Sequence, residues 1–245
     1  CIRDRPYCKK LMVIDDLADR NHQCDILLDQ TFGRQQEDYL RQTSRGCKLL
    51  LGSKYALLRP EFSKWRSYSL ERRCKPKFKQ LLISMGGVDV DNVTEKILDE
   101  LRICNLPSDL KIIVVMGGLT PYLESVKSKA TALPCKTQIK VDVDNMAEIM
   151  ANSDIAIGAA GSTTWERCCL GLPTIQFIIA KNQHLTARLL SENEIVKMAV
   201  SVNTICPLIN SSNEWVEVLS KNSNRIVDGF GCARVMDQLR KLRYD

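Results

Sequence analysis

Short apolar runs rich in β-branched residues alternate, along most of this chain, with longer segments whose apolar positions recur every three or four residues. Runs of the first kind suit strands buried on both faces, and segments of the second suit helices that lay one stripe against a sheet. From residue 80 the alternation is regular. It predicts strands at 80–85, 111–116, 138–142, 154–158, 173–179 and 197–201. Helices are predicted at 92–104, 121–131, 145–152, 163–171, 184–192, 205–220 and 223–242. Six strands joined through helices specify a doubly wound α/β sheet whose loops gather at one edge. Before residue 63 the pattern is sparser, with strands at 10–15, 24–29 and 48–52, and at 63–79 it lapses into a strongly basic stretch without periodicity. That stretch reads as a linker. The expected division is therefore residues 1–62, the tail of one domain, then linker 63–79, then a complete domain over 80–245.

The strand at 154–158 carries the chemistry. Ile155 to Ile157 stop at Gly158-Ala-Ala-Gly161, and a helix restarts at Ser162-Thr163-Thr164. Small residues let the backbone turn sharply, and the hydroxyl residues are of the type that caps a helix start. Free N–H groups and the positive end of the helix dipole then face the sheet edge, where they can hold a phosphate. Glu166, one turn in, is placed to accept both hydroxyls of a ribose, or else to lie in solvent as a first-turn carboxylate favoured by the dipole. Two more strands end in paired glycines, Gly86-Gly87 and Gly117-Gly118. Together these loops suggest a nucleotide, with a ligand-free structural turn as the alternative.

Composition narrows the partners. The formal charge is +6, but the basic residues are dispersed and only 6% of residues are aromatic, which disfavours a nucleic-acid groove. No apolar run approaches the roughly 20 residues of a membrane span. There are eleven cysteines and two histidines, with no Cys-x-x-Cys pair and no metal-ligand spacing. The thiols read as reduced, in a cytoplasmic protein, with Cys168 and Cys169 in or near the core. Asp15, Asp16 and Asp19 read as a solvated turn with caps in preference to a metal site. Neither cofactor nor metal is expected.

Several separated motifs occur in a familiar order: Asp15-Asp-Leu-Ala-Asp-Arg20, Cys24 to Gln30, Leu51 to Phe62, Ser84-Met-Gly-Gly87, Gly158 to Pro173 and Lys181-Asn-Gln183. In these the chain resembles the PseG/SpsG family, UDP-sugar hydrolases of pseudaminic acid biosynthesis related to the MurG glycosyltransferase. The resemblance implies a GT-B fold of two Rossmann-type domains, the first incomplete. It implies an enzyme that cleaves UDP from a 2,4-diacetamido-2,4,6-trideoxy sugar with water as acceptor, its partner a UDP-sugar substrate and not a nucleic acid or membrane, with the oligomeric state left open. By motif, Gly86 and Gly87 lie against the diphosphate, Gly161, Ser162 and Thr163 at the phosphate-facing helix start, and Glu166 on the ribose. Asn182 reaches toward the sugar or diphosphate, with Gln183 beside it, although both also suit a plain strand-to-helix turn. Tyr55 and Arg59 pack a hinge or border the cleft.

Family members begin with a glycine-rich loop ending in Gly-His-x-x-Arg, whose histidine is the expected base, and this chain, which starts at Cys1, shows no such segment. His22 and His184 stand elsewhere in the pattern. The expectation is a member lacking its N-terminal segment, catalytic base unknown, with exposed strand edges that promote association. A UDP-sugar glycosyltransferase and a catalytically silent UDP-sugar-binding module are the alternatives.

Overall fold

The first three apolar runs become parallel strands β1 (Met12–Ile14), β2 (Ile26–Asp29) and β3 (Lys48–Leu51), ordered β1-β2-β3, in a computed structural model that describes residues 5–244. Alternation along β2 sends Leu27 to one face, where it packs with Cys24 and Tyr39. Ile26 and Leu28 point to the other and meet Leu50. What covers that second face comes from the far end of the chain: Val235, Leu239 and Leu242 on the final helix, Gly231–Tyr244. Gly231 is required by the approach, since a Cβ there would lie 2.1 Å from the Ala56 carbonyl oxygen. Tyr55 packs into the same cluster. The structure thus divides into one unit made of the chain up to Pro60 plus Ile226 onward, and a second, Glu61–Arg225. This differs from a domain spanning 80–245, because the last helix carries an apolar stripe that completes the other sheet.

The second unit opens with α1 (Pro60–Arg73), which occupies much of the supposed linker. Its lack of an apolar stripe has a physical cause: the helix is held by polar side chains that close the ends of other helices. Ser69 Oγ donates to the Leu170 carbonyl at 2.7 Å, and buried Arg73 donates to the carbonyls of Leu170, Ser153 and Met150 at 3.0, 2.8 and 3.1 Å. Such carbonyls are the orphan acceptors of helix C-termini. Burial pulls the Arg73 guanidinium down to about 9.

There follow β4 (Gln80–Ser84), α2 (Val93–Leu101), β5 (Lys111–Met116), α3 (Leu123–Thr131), β6 (Lys136–Val141) and α4 (Met146–Asn152). Then come β7 (Ile155–Ala159), α5 (Thr163–Cys169), β8 (Thr174–Phe177), α6 (His184–Glu192), β9 (Lys197–Met198), α7 (Ile205–Asn210) and α8 (Ser212–Ile226); the final helix is α9. All six strands are parallel, in the order β6-β5-β4-β7-β8-β9. The chain winds outward from β4 to β6, returns to the centre, and winds outward again from β7 to β9, so β4 and β7 flank the topological switch point. One face buries Leu81, Ile83, Ile112, Val114, Ile155 and Ile157 against apolar residues of α2, α3, α7 and α8. The C-terminal helices break at Ser211 and around Gly229 (φ 87°), not near residue 221 as the periodicity suggested. Cys104 and Cys206 form a disulfide across 102 residues, which corrects the reading of all thiols as reduced. The pair is invisible in sequence because α2 and α7 meet only through packing. Among the described residues no helix is long and apolar enough to cross a membrane, and no group of side chains is arranged to hold a metal ion.

Candidate functional site

Ser84 at the end of β4 sits opposite Gly158 of β7, so the loops after these strands leave the same edge at neighbouring positions. β8 lies next, Phe177 opposite Ala159, and delivers a 3-10 turn, Lys181–Gln183, to that edge. Gly86, Gly87, Gly161, Ser162, Thr163, Glu166, Asn182 and Gln183 are therefore brought to the ends of three adjacent strands at the switch point. Open parallel sheets form a crevice there.

The glycines of these loops fall into two kinds. Gly86 has φ 100°, and a Cβ there, as at Gly87 and Gly161, would meet no atom within 4 Å. These three present bare backbone to open space. A Cβ at Gly117 would instead lie 2.2 Å from the Gly87 carbonyl oxygen, and one at Gly118 2.1 Å from an Asp142 carboxylate oxygen. The third glycine pair thus serves packing: it lets the Gly86-Gly87 turn lie down on β5's loop. At Gly158 the obstacle is Arg167, whose Nη1 would be 2.6 Å from a Cβ.

The two helix starts at this edge also differ. Asp89, buried and held at φ 49°, accepts the Val93 and Thr94 N–H groups at 2.9 and 2.8 Å. α2 therefore already has a carboxylate at its N-terminus. α5 lacks such a cap: Ser162 adopts helical angles without a side-chain capping bond, and the acidic residue of the first turn is Glu166. Its first turn is tightened instead, Thr164 N–H bonding the Gly161 carbonyl at 3.0 Å and Trp165 N–H that of Ser162 at 3.1 Å. The capping expected of Ser162, Thr163 and Thr164 is thus not made, because the threonine hydroxyls turn to Arg167. Glu166 lies half-buried in this turn.

Arg167 is the site residue that sequence reasoning missed. It is 1% exposed, donates to the Ala159 carbonyl at 2.7 Å and to Thr163 and Thr164 Oγ1 at 3.0 and 3.1 Å, and leaves Nε without a partner. Burial pulls its pKa down to about 10. The available signal was a charge set among Trp165, Cys168 and Cys169, all buried. Beside it, buried Gln176 of β8 donates to Thr164 Oγ1 at 3.4 Å. Burial pushes the neighbouring Cys168 thiol up to about 12, which makes it an inert core group.

On the third loop Asn182 is exposed, while Gln183 folds its side-chain carbonyl back onto the N–H groups of Ile179 and Ala180 at 2.9 and 3.3 Å. Gln183 so shapes the turn that presents Asn182. His184 begins α6, exposed; His22 is buried in the other unit, its Nε2 3.6 Å from an Asp15 carboxylate oxygen. Asp15 also caps Ala18 N–H at 2.9 Å and accepts the Tyr39 hydroxyl at 2.8 Å, the cap role read from the sequence, but its side chain is 9% exposed and so is not the solvated group expected. An open groove of about 770 Å³ runs beside the ends of β8 and β9, lined by Phe177, Leu185, Arg188 and Val200 among others.

Strand order, switch point and glycine turns define the second unit as a Rossmann-type α/β domain. Residues 81–205 match the Glycosyltransferase family 28 C-terminal domain, over half of the 245-residue chain, and the chain belongs to that family. It is 31% identical to the uncharacterized protein MJ1062 of Methanocaldococcus jannaschii, over 70% of this chain and 36% of that one. It is 28% identical to the UDP-2,4-diacetamido-2,4,6-trideoxy-beta-L-altropyranose hydrolase of Campylobacter jejuni, over 75% and 62%, and 26% identical to the spore coat polysaccharide biosynthesis protein SpsG of Bacillus subtilis, over 78% and 58%. The chain thus spans between 36 and 62% of the length of these relatives. The structure of Acinetobacter baumannii MurG has the same fold, with a TM-score of 0.69 over 98% of this chain and 69% of that one at 16% identity.

Proposed function

We propose that the second unit is the nucleotide-binding part of a UDP-sugar hydrolase, acting on a UDP-2,4-diacetamido-2,4,6-trideoxyhexose in pseudaminic acid biosynthesis. The observation that carries the reading is the pairing, at the switch point, of three glycines open to space with a helix start whose Ser162 makes no side-chain capping bond. The likeness to the Campylobacter hydrolase supports the choice of substrate. In this reading Gly86, Gly87, Gly161, Ser162 and Thr163 face the diphosphate, Glu166 accepts the ribose hydroxyls, and Asn182, on the turn shaped by Gln183, reaches the sugar. Departure of UDP builds charge on the diphosphate, and preorganised N–H donors stabilise that charge more than they stabilise the bound substrate. The water-activating base is unassigned among the described residues.

Calorimetric titration with UDP, 2′-deoxy-UDP and ADP tests the site. UDP should bind in preference to both, and Glu166→Ala should weaken UDP by about tenfold to a hundredfold, the worth of a hydrogen bond to a charged group, while abolishing the preference over 2′-deoxy-UDP. A well-folded chain that ignores UDP would sink the reading. The family 28 domain favours a second possibility, transfer of the sugar to an acceptor. Free reducing sugar in the products of the whole enzyme means hydrolysis, and a new glycoside means transfer.

A further inference from the structure

Arg167 is a buried cation whose hydrogen bonds all go to neutral groups. It is 1% exposed, and its acceptors are one carbonyl and two threonine hydroxyls. The adjacent Glu166 carboxylate acts on it through charge, without being one of its hydrogen-bond acceptors, and Nε has no acceptor. Isolated charges are costly to bury, and a hydrophobic side chain of similar volume commonly serves a core better. The fold nevertheless makes room for this one, keeping position 158 free of a Cβ that would stand 2.6 Å from the guanidinium. The three acceptors of Arg167 bracket the open loop: Ala159 ends the strand before it, and Thr163 and Thr164 begin the helix after it.

We propose that Arg167 is a positioning residue for the diphosphate: its guanidinium ties the two ends of the Ala160–Ser162 loop together from below and supplies the buried positive charge that a bound diphosphate completes. The inference rests on the UDP reading and adds to it a residue that does not touch the ligand. Two effects combine. The strut fixes the N–H groups of the loop before the ligand arrives, so less ordering is needed on binding. The charge, screened by protein and not by bulk water, attracts the phosphates over several ångströms. Both effects act more strongly on the phosphates than on the uridine, which meets the same turn only through Glu166.

The test is the affinity of the same chain for UDP, UMP and uridine, measured for the wild type, Arg167→Met, Arg167→Lys and Gly158→Ala, each checked for cooperative unfolding. The ratio of UDP to uridine affinity should fall by about tenfold or more in Arg167→Met, with UMP intermediate. Lysine, which keeps the charge and loses the fork, should fall less. Gly158→Ala keeps the charge but displaces it, and should also lower the ratio. A strut that merely supports the fold would weaken all three ligands equally, and an unchanged ratio in the folded variants overturns the proposal. If Arg167→Met does not fold, the lysine and alanine variants decide by the same ratio. A wild type with no preference for UDP over uridine instead refutes the diphosphate site itself.

Discussion

Gly86 and Gly161 look alike in the sequence, each closing an apolar run, and the structure asks different things of them. Gly86 holds φ 100°, where an L-residue is strained even though a Cβ would find open space. Gly86→Ala should therefore cost about 1–3 kcal/mol in urea unfolding. Gly161 has no positive φ and a Cβ there would meet nothing within 4 Å, so Gly161→Ala should leave stability within about 0.5 kcal/mol and act on ligand affinity alone. Equal destabilisation by both substitutions would contradict this separation of backbone and site roles. Gly117 belongs to a third class, its substitution barred by the Gly87 backbone at 2.2 Å.

Helices in this protein are anchored by different means, and the sequence shows only one of them. α2 and α8 present apolar stripes that periodicity detects. α1 instead uses Ser69 and Arg73 to cover carbonyls at the ends of α4 and α5, so a basic, aperiodic segment folds as a helix. Ser69→Ala should cost about 1 kcal/mol, and Arg73→Met, which strips donors from three carbonyls, about 2–3 kcal/mol, both read from urea midpoints. The start of α9 depends on a charge pair. Asp228 accepts the Phe230 N–H at 3.0 Å and is paired with Arg234, whose hydrogen bond lowers the carboxyl to about 2 from 3.8. A depressed acid contributes stability that is complete above its unfolded pKa and is lost as pH falls through the folded one. The difference between wild type and Asp228→Asn should therefore be present at pH 7 and vanish between about pH 4 and 2. Both side chains are more than a third exposed, so its size should stay below about 1 kcal/mol.

For the molecule as a whole, the chain leaves its first unit at Pro60 and returns to it at Ile226. Removing residues 227–245 strips Val235 and Leu239 from Ile26, Leu28 and Leu50. That truncation should expose the β-sheet face of the first unit and cause self-association in sedimentation. Nucleotide binding by the second unit should survive it. The Cys104–Cys206 bond closes a loop of about 100 residues inside the second unit. Its reduction, or Cys206→Ser, should lower that unit's stability by about 2–4 kcal/mol, and identical urea midpoints with and without reductant would show that the link contributes nothing.

The sequence by itself determined the second unit's architecture and where its loops emerge. Buried strands leave continuous apolar runs, amphipathic helices leave a period, and sharp turns need glycine, all of which are local requirements. For that reason the placing of Gly86, Gly87, Gly161, Ser162 and Thr163 at strand ends was legible, whereas the roles given to Glu166 and Asn182 came from the family resemblance. Tertiary structure alone decided what depends on partners distant in the chain: α1 as a helix held by carbonyls some eighty to a hundred residues away, α9 as the cover of the first sheet, and Cys104 beside Cys206. It also separated glycines that face open space from those that face a neighbour, and turned Arg167 inward. A buried charge and a solvated one have the same letter, and only the packing around them tells which desolvation cost the fold has accepted.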